Sequence, residues 1–401
     1  MESARPLPDF RSPEFLLGHV RQITDFYHPA CVDRERGGFF NEFRDDGRIT
    51  DRETRHLVST TRFIVNYAIA ADLLGREEYR EACAHGVRFL TEAHADREHG
   101  GYHWVLDGRE PRDSAKHCYG HAFVLLAFAA AAKAGVAGVS ARVAETWDLL
   151  ERRFFEPEAG LYADEASPDW SVLRPYRGQN ANMHMCEAML AAFEATGAAR
   201  YLDRAELLAR RICAELAGGA RELVWEHYHT DWSIDWDYNK DDPKNLFRPY
   251  GHLPGHFTEW AKLLLVLERY RPADWLLPRA RHLYETALAR SADLENGGLH
   301  YSFGPDGTLH DLDKYHWVHC ETLAAAAALA VRTGEERFWQ DYDRLWAYSW
   351  RHLVDVERGG WYRVLTPDGR RYDDLKSPPA KTDYHALGAA YEILRVLGRA
   401  R

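Results

Sequence analysis

Gly359-Gly360-Trp361-Tyr362 is the last of six occurrences of one pattern in this 401-residue chain. Gly37-Gly38-Phe39-Phe40, Gly100-Gly101-Tyr102, Gly160-Leu161-Tyr162, Gly218-Gly219 leading to Trp225, and Gly297-Gly298-Leu299 precede it. The period is about sixty residues, enough for two helices and a turn. Each turn is followed by an apolar helix, predicted over residues 61–74, 121–134, 184–196, 256–269, 319–333 and 384–397. Five of these close on glycine, at Gly75, Gly135, Gly197, Gly334 and Gly398, where a left-handed C-cap is expected; the fourth runs into Tyr270-Arg271-Pro272. The recurring helices are apolar on nearly every face, which marks burial. Their partners, at 80–94, 140–154, 201–216, 273–288 and 337–353, carry charge on one face, as outer helices do. Strand signals are confined to short pieces after the glycine turns, such as 361–365. The expected fold is all-α: an (α/α)6 barrel of six helical hairpins with short β-hairpins at one end. A single domain over 1–401 is expected, although the length alone suggests two or three domains.

Apolar residues make up 46% and charged residues 28%, which excludes a disordered or fibrous chain. A net charge of −11 without a basic block argues against nucleic acid or a membrane surface as partner. Six scattered cysteines, none in a CxxC pair, fit reduced thiols. Residues 1–10 show no basic-then-apolar leader, and the longest apolar stretch, 122–132, is too short to span a bilayer. The expectation is a cytoplasmic protein, monomer or homodimer.

The buried helices open with polar groups in register. Counting back from each closing position gives Arg62, His121, His184, His256, the His319–Glu321 pair and His385. A lone histidine on an apolar face is ordinarily a satisfied core residue; a polar group in every repeat calls for a shared cavity. His184–Glu187 and His256–Glu259 are three apart, so each carboxylate can hold its imidazole or share a ligand with it. A divalent metal beside Arg62 is unfavourable, so neither metal nor cofactor is expected. The long segment 225–254, with Trp232, Trp236 and Tyr238, is read as a lid over the mouth; the alternative is a surface hairpin packed by its own tryptophans.

Ser59-Thr60-Thr61-Arg62, Asn182-Met183-His184-Met185-Cys186-Glu187-Ala188, Pro254-Gly255-His256-Phe257-Thr258-Glu259-Trp260 and Lys381-Thr382-Asp383-Tyr384-His385 together resemble the N-acylglucosamine 2-epimerase superfamily. The resemblance covers nearly the whole chain, and its C-terminal motif is most similar to the branch of mannose and related aldose–ketose isomerases. It implies an (α/α)6 barrel and metal-independent chemistry on a monosaccharide. His256 and His385 would form the acid–base pair, and Arg62, His184 and Glu259 would hold the sugar and the catalytic histidines. Glu187, His121, Trp317, His319 and Asp383 are added as substrate-binding positions. On this reading His385 shuttles a proton between C2 and C1, while His256, oriented by Glu259, opens the sugar ring. The expected reaction is the interconversion of D-mannose and D-fructose through a cis-enediolate. A 2-epimerase of the N-acylglucosamine or cellobiose type using the same histidines stays open, because spacing alone does not separate the two. Glycoside hydrolysis would need two carboxylates where histidine dominates, and a non-catalytic sugar-binding module has no need of two opposed titratable groups.

Overall fold

The computed structural model describes residues 7–245 and 247–400, so the first six positions of the leader reading lie outside it. In chain order the helices are α1 (Pro13–Tyr27), α2 (Leu57–Leu74), α3 (Glu77–Phe89), α4 (Cys118–Lys133), α5 (Ser140–Arg153), α6 (Gln179–Thr196) and α7 (Ala199–Arg210). They continue with a single turn α8 (Ala217–Gly219), then α9 (Pro254–Tyr270), α10 (Leu276–Ser291), α11 (His316–Thr333), α12 (Glu336–His352) and α13 (Tyr384–Val396). The apolar helices α2, α4, α6, α9, α11 and α13 each pack on the next, and α13 packs back on α2. Helices α3, α5, α7, α10 and α12 each back onto the inner helix before them. The sixth outer place, which the repeat pattern did not specify, is taken by α1, lodged against α13 and α2. Ser12 caps it by accepting from the Phe15 N–H, with Pro13 in its first turn.

Gly75, Gly197 and Gly334 end α2, α6 and α11 in the left-handed conformation, as the sequence predicts. Helix α2 is long and apolar enough to cross a bilayer, yet here most of it is buried against its neighbours.

The short strands are more than local hairpins. Arg55 pairs with Leu106, Lys116 with Ala166, Arg177 with Tyr228, His252 with Phe303, Lys314 with Leu365, and Ser377 with Phe43. Each joins the strand leading into one inner helix to the turn region of the next repeat, and the last joins the sixth repeat to the first. The result is a cyclic belt at the N-terminal ends of the inner helices.

An ion pair fixes five of the six turns to that belt, buried on both sides in four of them. Asp33 meets Arg55 at 2.6 Å, Asp96 meets Lys116 at 2.5 Å, Asp293 meets Lys314 at 2.7 Å, and Asp355 meets Lys376 at 2.6 Å. Glu156 and Arg177, at 2.5 Å, do the same in the third repeat. The four aspartates also accept the backbone N–H groups two and three residues on, which shapes the turn that leads to the glycines. In the fourth repeat His252 occupies the cation's position and bonds the Val224 carbonyl instead. Gly101 shows why the turn needs glycine: its φ is 76°, and a Cβ would lie 2.8 Å from His121 Nε2.

Two outcomes follow from this interior. Lys116→Met should lower stability by about 3–5 kcal/mol in urea unfolding, because it strands the Asp96 charge in the core. Burial also holds His94 and His121 at about 3 and His319 at about 4, below the usual 6.5. The unfolded chain therefore binds these protons first as pH falls. Stability should be complete above pH 6.5 and decline below it, each histidine contributing about 1.4 kcal/mol per pH unit until its folded value is reached. A urea midpoint that stays constant from pH 7 to 5 would contradict this.

Candidate active site

Belt and helix lengths together determine which side chains meet on the axis. Seven residues past the belt positions Arg55, Lys116, Arg177, His252 and Lys314 stand Arg62, Phe123, His184, Glu259 and Glu321. Each is the sixth residue of its helix. The sixth repeat brings His385 to the same group: its ring lies 6.4 Å from His184, its Nδ1 is 2.7 Å from Glu321, and its Nε2 is 3.5 Å from Arg62 Nη2. His256, three residues before Glu259, borders the group through Trp317, whose ring lies 5.1 Å from His256 and 5.6 Å from His385. His256 and His385 are 6% and 7% exposed, so each keeps a solvent-reachable edge. Arg62 lies over Phe123 and Tyr384 and donates to the Tyr119 hydroxyl at 3.0 Å and to the Ala380 carbonyl at 2.5 Å.

Three imidazoles are oriented alike by carboxylates. His256 Nδ1 is 2.9 Å from Glu226 Oε2, His385 Nδ1 is 2.7 Å from Glu321 Oε1, and His184 Nδ1 is 3.0 Å from Glu187 Oε2. A neutral imidazole giving Nδ1–H to a carboxylate carries its lone pair on Nε2, the form a general base requires. Gln179 donates to Glu226 at 2.8 Å and accepts from the Trp260 indole, so the carboxylate holding His256 is itself fixed.

Glu259 does not orient His256, contrary to the expectation from their three-residue spacing. The imidazole turns toward the 225–254 segment, and Glu226 reaches it from there. Glu259 instead lies 3.8 Å from His184 Nδ1, and neither of its buried oxygens has a hydrogen-bond partner among the described residues. Burial first, then the charges of Glu321 and Glu187, push its carboxyl well above the usual range, which favours the neutral acid. Burial also lowers His184, and burial followed by Arg62 holds His385 well below its ordinary value. Lys262 Nζ sits 2.6 Å from Glu321.

His121, His319 and Asp383 belong to a different layer, a correction to their expected place at the substrate. His121 Nδ1 faces the His117 carbonyl while Nε2 accepts the Tyr102 N–H; His319 does the same with Tyr315 and Leu299. Asn182 accepts from Tyr162 N–H, and Asp383 from Trp361 N–H. All four are fully buried and pin the glycine turns. They stand two residues before Phe123, Glu321, His184 and His385, so the single ring inferred from the sequence is two layers. Glu226 and Gln179 were not foreseen. Both lie 2.9 Å from His256 Nδ1, across 30 and 77 residues, which leaves no local spacing to read.

The 225–254 segment is packed by its own aromatic residues. Trp225, Tyr228 and Trp232 are buried, Trp225 donates to the Asp235 carbonyl, and Trp232 donates to Glu156. Two groups, His184–Glu187–Glu259 and Glu259–Glu321–His385, bring potential metal ligands within 4.8 Å. The donor set suits a divalent ion poorly, because Lys262 and Arg62 already supply the positive charge beside it. On the far side, an axial cavity of about 500 Å³ ends on Glu187, Lys262, Glu321 and His385.

Residues 38–389 match the N-acylglucosamine 2-epimerase (GlcNAc 2-epimerase) family. A D-mannose isomerase of Marinomonas mediterranea is 50% identical over 391 residues, 97% of this chain and 99% of the relative. A crystal structure of a D-mannose isomerase superposes with a TM-score of 0.95 at 50% identity, covering 97% of this chain and all of that one. The cellobiose 2-epimerase of Spirochaeta thermophila superposes at 0.85 with 25% identity, over 98% and 99% of the two chains. By its largely helical architecture and by sequence over nearly its whole length, the chain is an isomerase belonging to the N-acylglucosamine 2-epimerase family.

Proposed function

We propose that this chain interconverts D-mannose and D-fructose without a metal, through a cis-enediolate, at the mouth of a closed (α/α)6 barrel. The observation that carries the reading is the pair His256 and His385, each with Nδ1 against a buried carboxylate, on either side of Trp317. His256 would take the O1 proton of the cyclic sugar and return one to the ring oxygen, opening the ring. His385 Nε2 would then remove the C2 proton. The imidazolium formed is stabilised by Glu321, and the charge growing on the enediolate oxygens by Arg62 and the neutral Glu259 acid. His256 passes the O2 proton to O1, and return of the proton to C1 from the same face then gives the ketose. Delivery to C2 from the opposite face would give the epimer and would need His256 to reach carbon.

Identity to a D-mannose isomerase favours the first outcome. An unphosphorylated sugar is supported by the cations around Arg62, which are already engaged: Lys262 with Glu321, Lys381 with Asp383, and Arg248 with Glu165 and the Tyr176 ring. All six cysteines are free and buried, which suits a reducing cytoplasm.

Mannose incubated with the protein in deuterated water and followed by NMR should give fructose as the main product, and glucose appearing first would reassign it as an epimerase. His385→Ala should abolish turnover, and retained activity would remove His385 from the mechanism. Glu226→Gln should lower kcat by about 10²–10³-fold with KM little changed, because the amide no longer enforces the Nδ1–H tautomer. Turnover should survive EDTA.

A further inference from the structure

His385 is mounted unlike the other axial residues. It is the second residue of α13, whereas Arg62, Phe123, His184, Glu259 and Glu321 are each the sixth of their helix. Nine residues separate it from Lys376, where the other repeats use seven. An irregular turn replaces the first helical turn, and in it Ala380, Thr382 and Asp383 have φ of 71°, 44° and 52°. None is glycine and Thr382 is β-branched, so this backbone lies in a region costing about 1–3 kcal/mol per residue.

Two sets of contacts hold the turn. From α2, Ser59 accepts the Ala380 N–H at 2.8 Å, Arg62 donates to the Ala380 carbonyl, and Asn66 donates to the Thr382 carbonyl at 2.7 Å. From behind, Lys381 Nζ meets Asp383 Oδ1 at 2.5 Å, and Tyr27 of α1 donates to Asp383 Oδ2 at 2.8 Å. Lys381 and Asp383 are 6% and 0% exposed. The ion pair that ties turn to belt in four of the other repeats is already made here by Asp355 and Lys376, so this second buried pair is additional to it.

Resting on the isomerase reading, we propose that Lys381 and Asp383 are positioning residues: their buried pair locks the strained turn and thereby fixes where His385 presents Nε2 beside Arg62. Arg62 completes the lock from the sugar side, so one guanidinium both meets the substrate oxygens and braces the base.

His385 faces Arg62 from α2, His184 and Glu187 from α6, Glu259 and Lys262 from α9, and Glu321 and His316 from α11. All of these stay intact in the test. The double variant Lys381→Met/Asp383→Leu removes the pair without orphaning a charge. It should lower kcat about 10- to 100-fold with KM within about twofold, and Lys381→Arg should keep most of the activity. In histidine NMR titrations His385 should move from well below 6.5 up toward that value. Asp383→Asn keeps the shape of the turn and should shift both readouts in the same direction by less, which covers failure of the double variant to fold. Wild-type kcat and an unmoved His385 titration in either folded variant, whatever the melting temperature, would overturn the proposal. If the wild type itself does not convert mannose, the functional reading fails, while the titration still tests the positioning role.

Discussion

The acid–cation pair at the base of five of the six repeats is the constraint on which the rest of this molecule depends. A glycine turn leaves an outer helix free to meet the inner ring at many angles. The carboxylate removes that freedom by binding the turn's N–H groups with one oxygen and a belt cation with the other. Buried pairs of this kind gain little net stability over an apolar replacement. Their return in register is better understood as geometric specification: they set the height at which each inner helix begins, and so which side chain reaches the axis.

The centre of the ring then solves an electrostatic problem. Arg62 and Lys262 stand against Glu187, Glu259 and Glu321, and burial pushes the carboxyls of Glu259 and Glu321 up, so opposing charges offset one another in the buried cluster. That balance lets the histidines stay uncharged in a desolvated pocket. A base kept neutral by burial and by Arg62 gains most when it takes a proton next to Glu321. Burial sets the protonation state of the resting site, and the carboxylate stabilises the charge created in the reaction.

Much of this was legible in the sequence, for identifiable reasons. The glycine turns and their closing caps are dictated by local backbone conformation, so six hairpins could be counted from them. The polar character of the inner helices also stood out against an apolar background. What escaped was register: His121 and Asn182, two residues from Phe123 and His184, serve the turn rather than the axis, and a count accurate to two residues merges the layers. The Glu226–His256 contact escaped because it depends on how a long loop returns across the mouth. A local rule, that residues three apart share a helix face, suggested Glu259 in its place. The aspartate four residues ahead of four of the Gly-Gly pairs was visible throughout, but its partner lies about twenty residues on and only the folded belt reveals it.

Helix α1 fills the last outer position, and Ser377 meets Phe43 across the seam between the sixth repeat and the first. Phe10 stacks on Trp346 beside that seam, and the Tyr342 hydroxyl donates to its carbonyl. A growing chain on the ribosome can therefore assemble five hairpins and still hold an open wedge, with the apolar flank of α2 waiting for α13. His385 is on the element that arrives last. The nascent protein thus passes through a stage in which most of its architecture exists, its chemistry does not, and an exposed edge makes it most dependent on protection from its neighbours.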